Sequence, residues 1–104
     1  MLTFAQASEL AETWVRVTTR NEAVVVKELT LKRAYGWVFF YQTRAFLASR
    51  DFRYAACGNA PILVNRISKE IRITGTALPI ESYLAAYEAE MPPMWLQCEL
   101  PKEP

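Results

Sequence analysis

The sequence predicts an α+β fold in which one helix precedes and another follows a four-stranded, mainly antiparallel sheet. Apolar residues recur at helical spacing near both ends of the chain, whereas the middle alternates β-branched or aromatic residues with polar ones. Glycine, proline or polar turn residues mark each change of period. Because consecutive strands joined by short turns pair with each other, we expect a meander with both helices packed on one face.

The length and composition of the chain are typical of one small domain. A chain of 104 residues with 52% apolar content can bury a single compact core. We expect this domain to occupy residues 1–91. The four prolines after Met91 predict an irregular, partly docked tail over residues 92–104.

The first helix is predicted from about Phe4 to Val17. Thr3 and Gln6 have the spacing of a capping box, in which each side chain bonds the other residue's backbone N–H. Trp14 lies on the apolar stripe, which favours a role in the core. The stripe consists of Phe4, Ala7, Leu10, Ala11, Trp14 and Val15.

Two strands are predicted next, over Ala23–Leu31 and Trp37–Thr43, with a turn at Lys32–Gly36. Side chains alternate along a strand, so Trp37, Phe39 and Tyr41 share one face while Val38, Phe40 and Gln42 share the other. Both faces are therefore apolar. Because two helices are available to cover the sheet, we expect first that both faces are covered. The alternative is that one face is an exposed aromatic surface that binds a partner.

The segment Arg44–Cys57 has weak periodicity and predicts a short helix at Ala45–Ser49 followed by an irregular loop. Its mixture of aromatic and arginine side chains is typical of interface hot spots. The alternative is a loop that tucks Phe52 and Tyr54 into the edge of the core.

A second hairpin is predicted from Pro61–Val64 and Ile71–Ile73, after a turn at Gly58-Asn59 and with a loop at Asn65–Glu70 between the strands. A second helix begins after Pro79. Its apolar stripe consists of Ile80, Tyr83, Leu84 and Tyr87. In the tail, the apolar residues Met94, Trp95 and Leu96 are expected to dock on the sheet or on a partner.

Charge is distributed unevenly although the net charge is only +1. Residues 16–53 carry eight basic groups and three acidic ones, whereas residues 79–104 carry five acidic groups and one basic group. The last helix and the tail therefore offer an acidic face, unless these charges only solvate the surface. The basic segment, with its interleaved aromatic residues, also leaves a nucleic-acid-binding module as a third-ranked hypothesis.

The residues of catalysis and cofactor binding are missing from the sequence. The chain has no histidine, Cys57 and Cys98 lack the paired spacing of a zinc site, and its three glycines form no phosphate-binding loop. We therefore expect no enzyme activity, no metal, no cofactor and no small-molecule substrate. No signal peptide or membrane-spanning run is visible, so we expect a cytoplasmic protein with reduced thiols and no membrane partner.

Several short motifs, in this order and spacing, resemble the immunity protein 35 family. The matching residues are Gly36-Trp37-x-Phe39, Arg44-Ala45-Phe46-Leu47, Gly58-Asn59-Ala60-Pro61, Gly75-Thr76-Ala77 with Pro79, and Tyr83-Leu84-x-x-Tyr87-Glu88. The resemblance implies a protein that binds and neutralises a bacterial toxin encoded by an adjacent gene, or a small chaperone-like protein. The family pattern has a glycine near Lys69, so here the loop either uses another turn type or tolerates a strained residue.

An inhibitor needs apolar or aromatic anchors within a charged rim. For the surface that binds the toxin we therefore predict Arg50, Phe52 and Arg53 from the loop, Glu88 and Glu90 as acidic contacts, and Met94 and Trp95 from the tail. The chaperone-like alternative would use exposed aromatic surface at Trp37–Tyr41. A homodimer formed through a sheet edge stays open.

Overall fold

The computed structural model describes residues 1–54 and 60–102, and it confirms the α+β class. The predicted turn at Gly58-Asn59 and the thiol of Cys57 lie outside the described residues. The helices are α1 (Phe4–Thr18), α2 (Arg44–Ser49), α3 (Ile80–Glu90) and α4 (Pro93–Leu96). The strands are β1 (Ala23–Val25), β2 (Leu31–Arg33), β3 (Gly36–Phe39), β4 (Tyr41–Thr43), β5 (Ile62–Asn65) and β6 (Ile71–Ile73).

Within the described ranges, the strands form a four-stranded antiparallel sheet in the order β2-β3-β5-β6 and a two-stranded sheet of β1 and β4. The predicted meander is thus present, but its first two strands are each broken into two. A 3-10 turn at Lys27–Leu29 separates β1 from β2, and Phe40 separates β3 from β4. The hairpin changes sheet at these breaks, where the Val26 N–H donates to the Phe40 carbonyl at 2.8 Å.

The central strands β3 and β5 are buried on both faces. On one face, Trp37, Phe39, Ile62 and Val64 pack against α1. On the other, Val38 and Leu63 pack in a cluster with residues of α3. The expectation that both helices share one face is wrong, since α1 covers one face of these strands and α3 covers the other. If both helices lay on one face, the second apolar face would be exposed to water, which is unfavourable. The expectation that both faces of the aromatic strand are covered is confirmed. The α3 side chains in the second cluster are Leu84 and Tyr87.

Helix α1 begins with the predicted capping box. The Thr3 hydroxyl accepts from the Gln6 N–H at 3.2 Å, and the Gln6 side chain accepts from the Thr3 N–H at 2.9 Å. Trp14 is half-buried against the α1 cluster, with its ring centre 6.1 Å from that of Tyr41 in an edge-on arrangement. Its assignment to the core is therefore confirmed.

The loop between β5 and β6 tolerates a strained residue. Lys69 has a φ of 66°, a conformation that costs a non-glycine residue about 1–2 kcal/mol. Buried Asn65 organises the loop, since its side-chain oxygen accepts from the N–H groups of Ile67 at 2.8 Å and Ser68 at 3.0 Å. These bonds hold the turn without glycine.

The proline-rich segment contains one turn of helix, α4, that the sequence did not predict. Pro93 starts this helix, where its missing N–H has no intrahelical partner to lose. Trp95 packs against the cluster on the α3 face. Further along, the Arg66 guanidinium donates to the Glu99 carbonyl, and Pro101 is buried.

Gly36→Ala is expected to destabilise the fold by at least about 2 kcal/mol. Gly36 has a φ of 153°, and a Cβ there would collide with the Val64 carbonyl oxygen and lie 3.1 Å from the Asn65 Cα. Urea unfolding followed by tryptophan fluorescence measures the loss. Gly75→Ala is the control with a smaller expected loss, because the three atoms nearest to its Cβ would all belong to the Tyr83 side chain and none to the backbone. Equal stability of the two variants would contradict this account of Gly36.

Lys69→Gly is expected to stabilise the protein by about 0.5 kcal/mol. Glycine removes the left-handed penalty of about 1–2 kcal/mol, and its greater freedom in the unfolded chain cancels about 0.5–1 kcal/mol of that gain. The urea midpoint should rise at unchanged slope. A lower midpoint would mean that the Lys69 side chain stabilises the fold by more than its left-handed backbone conformation destabilises it.

Candidate partner-binding surfaces

The seven residues predicted to bind a partner fall into two groups on different elements. Arg50, Phe52 and Arg53 follow α2. The second group, held by α3 and α4, consists of Glu88, Glu90, Met94 and Trp95.

The first group forms an exposed surface that we call the loop patch, consisting of Arg50, Phe52, Arg53 and Tyr54. Phe52 is 84% exposed and Tyr54 is 48% exposed, so the alternative in which both tuck into the core is wrong. The Phe52 ring lies 5.7 Å from that of half-buried Phe46, and the Arg50 guanidinium lies 5.8 Å from the Phe46 ring centre. Phe46 therefore supports the exposed side chains of Phe52 and Arg50 by direct contact.

Hydrogen bonds fix the backbone of the loop patch. The Thr43 hydroxyl caps α2 by accepting from the Phe46 N–H at 3.0 Å, and it donates to the Tyr54 carbonyl. Asp51 accepts from the Arg53 N–H at 2.9 Å and forms a 2.7 Å ion pair with the Arg53 guanidinium. These bonds lower the pKa of the Asp51 carboxyl. The aromatic and basic side chains are thus presented from an ordered segment.

A groove beside the loop patch adds residues that the sequence did not single out. Arg44 lines this groove, and its guanidinium donates to both the backbone and side-chain oxygens of Asn21 at 3.0 Å. The groove has a volume of about 470 Å³. Only the tertiary fold brings the end of α1 to the start of α2, so local periodicity offered no signal for it. The lining residues are Asn21, Glu22, Thr43, Arg44, Ala45 and Tyr54.

The second group is partly engaged inside the protein. Glu88 is half-buried and accepts from the Tyr35 hydroxyl at 2.7 Å, while Trp95 packs against the cluster on the α3 face. Glu90 is more exposed and lies 3.6 Å from the Arg72 guanidinium. Met94 is 68% exposed. Met94 and Glu90 are therefore accessible, whereas Glu88 and Trp95 hold the α3 face together.

Tyr87 of α3 and Tyr35, which precedes β3, belong to a polar network. The rings of Tyr35 and Tyr87 stack with their centres 5.7 Å apart. The Tyr87 hydroxyl accepts from the Asn65 side chain at 2.9 Å and donates to Glu70 at 2.8 Å. Burial raises the pKa of both Tyr35 and Tyr87, and the hydrogen bond from Tyr35 to Glu88 raises the Tyr35 pKa further.

Two kinds of feature are absent from the part of the chain that the structure describes. None of its helices is both long enough and apolar enough to span a bilayer. Residues 1–54 and 60–102 also contain no group of three or more histidine, cysteine, aspartate or glutamate side chains placed to hold a metal ion.

Comparison with known proteins supports the resemblance seen in the sequence motifs. The sequence model of the family described as Immunity protein 35 matches residues 5–90. Over 64 residues the chain is 41% identical to the uncharacterized protein YrhB of Escherichia coli strain K12, a stretch that covers 62% of this chain and 68% of YrhB. No solved structure matches the chain.

The buried tyrosines predict a loss of stability in alkali. Because their folded pKa lies above the unfolded value of 10.0, the stability they contribute is complete below pH 10 and falls as the pH rises through the folded pKa. The free energy of unfolding should fall by up to about 1.4 kcal/mol per pH unit for each tyrosine. Urea unfolding from pH 8 to 11 measures this slope. Tyr35→Phe should make the slope shallower, and an unchanged slope would contradict the assignment.

Proposed function

The chain belongs to the immunity protein 35 family, and from this membership we propose that it binds a cognate bacterial toxin and neutralises it without catalysis. Family membership supports an immunity function in general and implies a protein partner. In the proposal, the toxin is the product of an adjacent gene, and the complex forms in the cytoplasm. The inhibitor covers either the toxin's active site or the path of its substrate.

The observation that carries the placement of the binding surface is the exposure of Phe52. The Phe52 ring is 84% exposed, and burying a large apolar side chain contributes about 1.5–3 kcal/mol. A partner that covers this ring would gain that free energy on binding. Arginine and aromatic side chains surround it, as is typical of hot spots. The fixed loop backbone also limits the entropy lost on binding.

A second contact area is proposed at Met94 and Glu90. Met94 is exposed beside Trp95, and methionine adapts to irregular partner surfaces. In this proposal Trp95 and Glu88 position the area by packing and by the hydrogen bond from Tyr35. Their substitution should affect the stability of the free protein as well as its affinity for the toxin.

The chaperone-like alternative loses the support of an exposed aromatic strand, since Trp37, Val38 and Phe39 are buried, and it then rests on the family resemblance. One apolar groove that could serve this role has a volume of about 550 Å³ and lies between α1 and β6. It would have to accept unfolded segments of several proteins. An aggregation assay with unrelated clients at near-stoichiometric amounts tests this alternative, and failure to protect any client would eliminate it.

Co-expression with the neighbouring gene product, followed by pull-down and a growth assay, tests the immunity proposal. A stoichiometric complex that restores growth is the expected result. Absence of both complex and rescue would overturn the proposal.

Phe52→Ala is expected to weaken toxin binding at least tenfold, because a central aromatic anchor contributes about 1.4 kcal/mol or more. Isothermal titration calorimetry with the purified toxin measures the change. Leu78→Ala is the matched control, since Leu78 is an apolar side chain, 57% exposed, in the segment between β6 and α3. Equal affinity of the two variants would place the binding surface elsewhere.

A further inference from the structure

Two arginines, one in the loop patch and one after α1, occupy backbone conformations that favour glycine. Arg20 and Arg50 have φ values of 54° and 58°, and each follows the end of a helix. Glycine is the usual residue at such a position because it has no Cβ to strain. The chain therefore accepts backbone strain at both positions and gains a long cationic side chain at each.

A third arginine is held at the same end of the molecule. Asn21 follows Arg20 and also has a positive φ, of 65°, and its two oxygens bind the Arg44 guanidinium. Both acceptors are neutral, so they orient the Arg44 guanidinium without compensating its positive charge. Asn21 and Arg44 also line a second groove, of about 280 Å³, together with Arg16. The two grooves thus share Asn21 and Arg44, and the larger one is also lined by Tyr54 of the loop patch.

The carboxylates nearby leave most of this positive charge uncompensated. Asp51 is paired with Arg53, and Glu12 is paired with Lys27 at 3.1 Å. Glu22 lines the larger groove. Among the side chains that the structure describes, no carboxylate forms an ion pair with Arg16, Arg20, Arg44 or Arg50.

We propose that the part of the toxin that faces the loop patch is acidic, with carboxylates that contact Arg50, Arg44 and Arg20 around an apolar pocket for Phe52. This inference rests on the proposed function and adds the chemistry of the partner. Complementary charge accelerates association and selects the correct partner, while the aromatic ring supplies the buried contact. The cations are held by ordered backbone before binding, which reduces the ordering cost on complex formation.

Arg50→Gly is a sharp test because it removes the cation from a backbone position that glycine adopts without strain. We expect equal or higher melting temperature, a tenfold or greater loss of toxin affinity, and a slower association rate. Lys69→Gly is the matched control: it removes the same charge at the same backbone conformation, with a φ of 66°, in the loop between β5 and β6. Its affinity should stay within twofold of the unsubstituted protein.

Stopped-flow association of the unsubstituted protein with the toxin gives a second readout. The association rate should fall at least tenfold between 20 mM and 500 mM NaCl, because salt screens attraction between exposed charges. For Arg50→Glu the loss of affinity should exceed that for Arg50→Gly. Lys69→Glu should again have little effect.

The outcomes separate this inference from the proposed function. A tight complex whose affinity is unchanged by Arg50→Gly and whose association rate is independent of salt would overturn the acidic partner and leave the immunity function standing. Absence of any complex with the toxin would overturn both. Salt-sensitive binding to single-stranded RNA or DNA without binding to the toxin would also overturn both, and would assign the basic grooves to nucleic acid.

Discussion

The structure depends on burying both faces of the central strands β3 and β5. Trp37, Val38, Phe39, Ile62, Leu63 and Val64 are all at most 2% exposed, and each buried large apolar side chain contributes about 1.5–3 kcal/mol. One helix covers only one face of a sheet, so the chain needs α1 before the strands and α3 after them. Gly36 supports the same arrangement, because it lets the β3 backbone approach the Val64 carbonyl. The loop patch follows α2, which begins directly after β4.

Most of this architecture could be predicted because it follows from local patterns. The capping box at Thr3, the stripe of α1 and the alternation in β3 depend on residues that are neighbours in sequence. The sides taken by the helices could not be predicted in this way. Both faces of β3 are apolar, so alternation does not indicate which helix covers which face. The breaks at Lys27–Leu29 and Phe40 were also hidden, since a strand that changes sheet keeps its β-rich composition.

The candidate surface was predictable in composition but not in geometry. Arg50, Phe52 and Arg53 stood out because arginine and aromatic residues are frequent at interfaces. Arg44 and Asn21 did not, because their contact joins residues that are far apart in sequence. Nor does a sequence pattern identify an arginine with positive φ, since glycine or asparagine is the usual signal for that conformation. Glu88 and Trp95 show the converse, because their chemistry suggested an interface and their contacts lie partly inside the protein.

The sign of the charge around Phe52 bears on how a toxin could be neutralised. A surface that binds nucleic acid is generally basic, because it must attract phosphates. A basic inhibitor surface would be repelled from such a site, so it could stop a nuclease only by binding elsewhere and blocking the path of the substrate. An active site built on paired carboxylates, as in glycoside hydrolases, attracts the same arginines and can be covered directly. Direct occlusion by this surface therefore fits a toxin with an acidic active site.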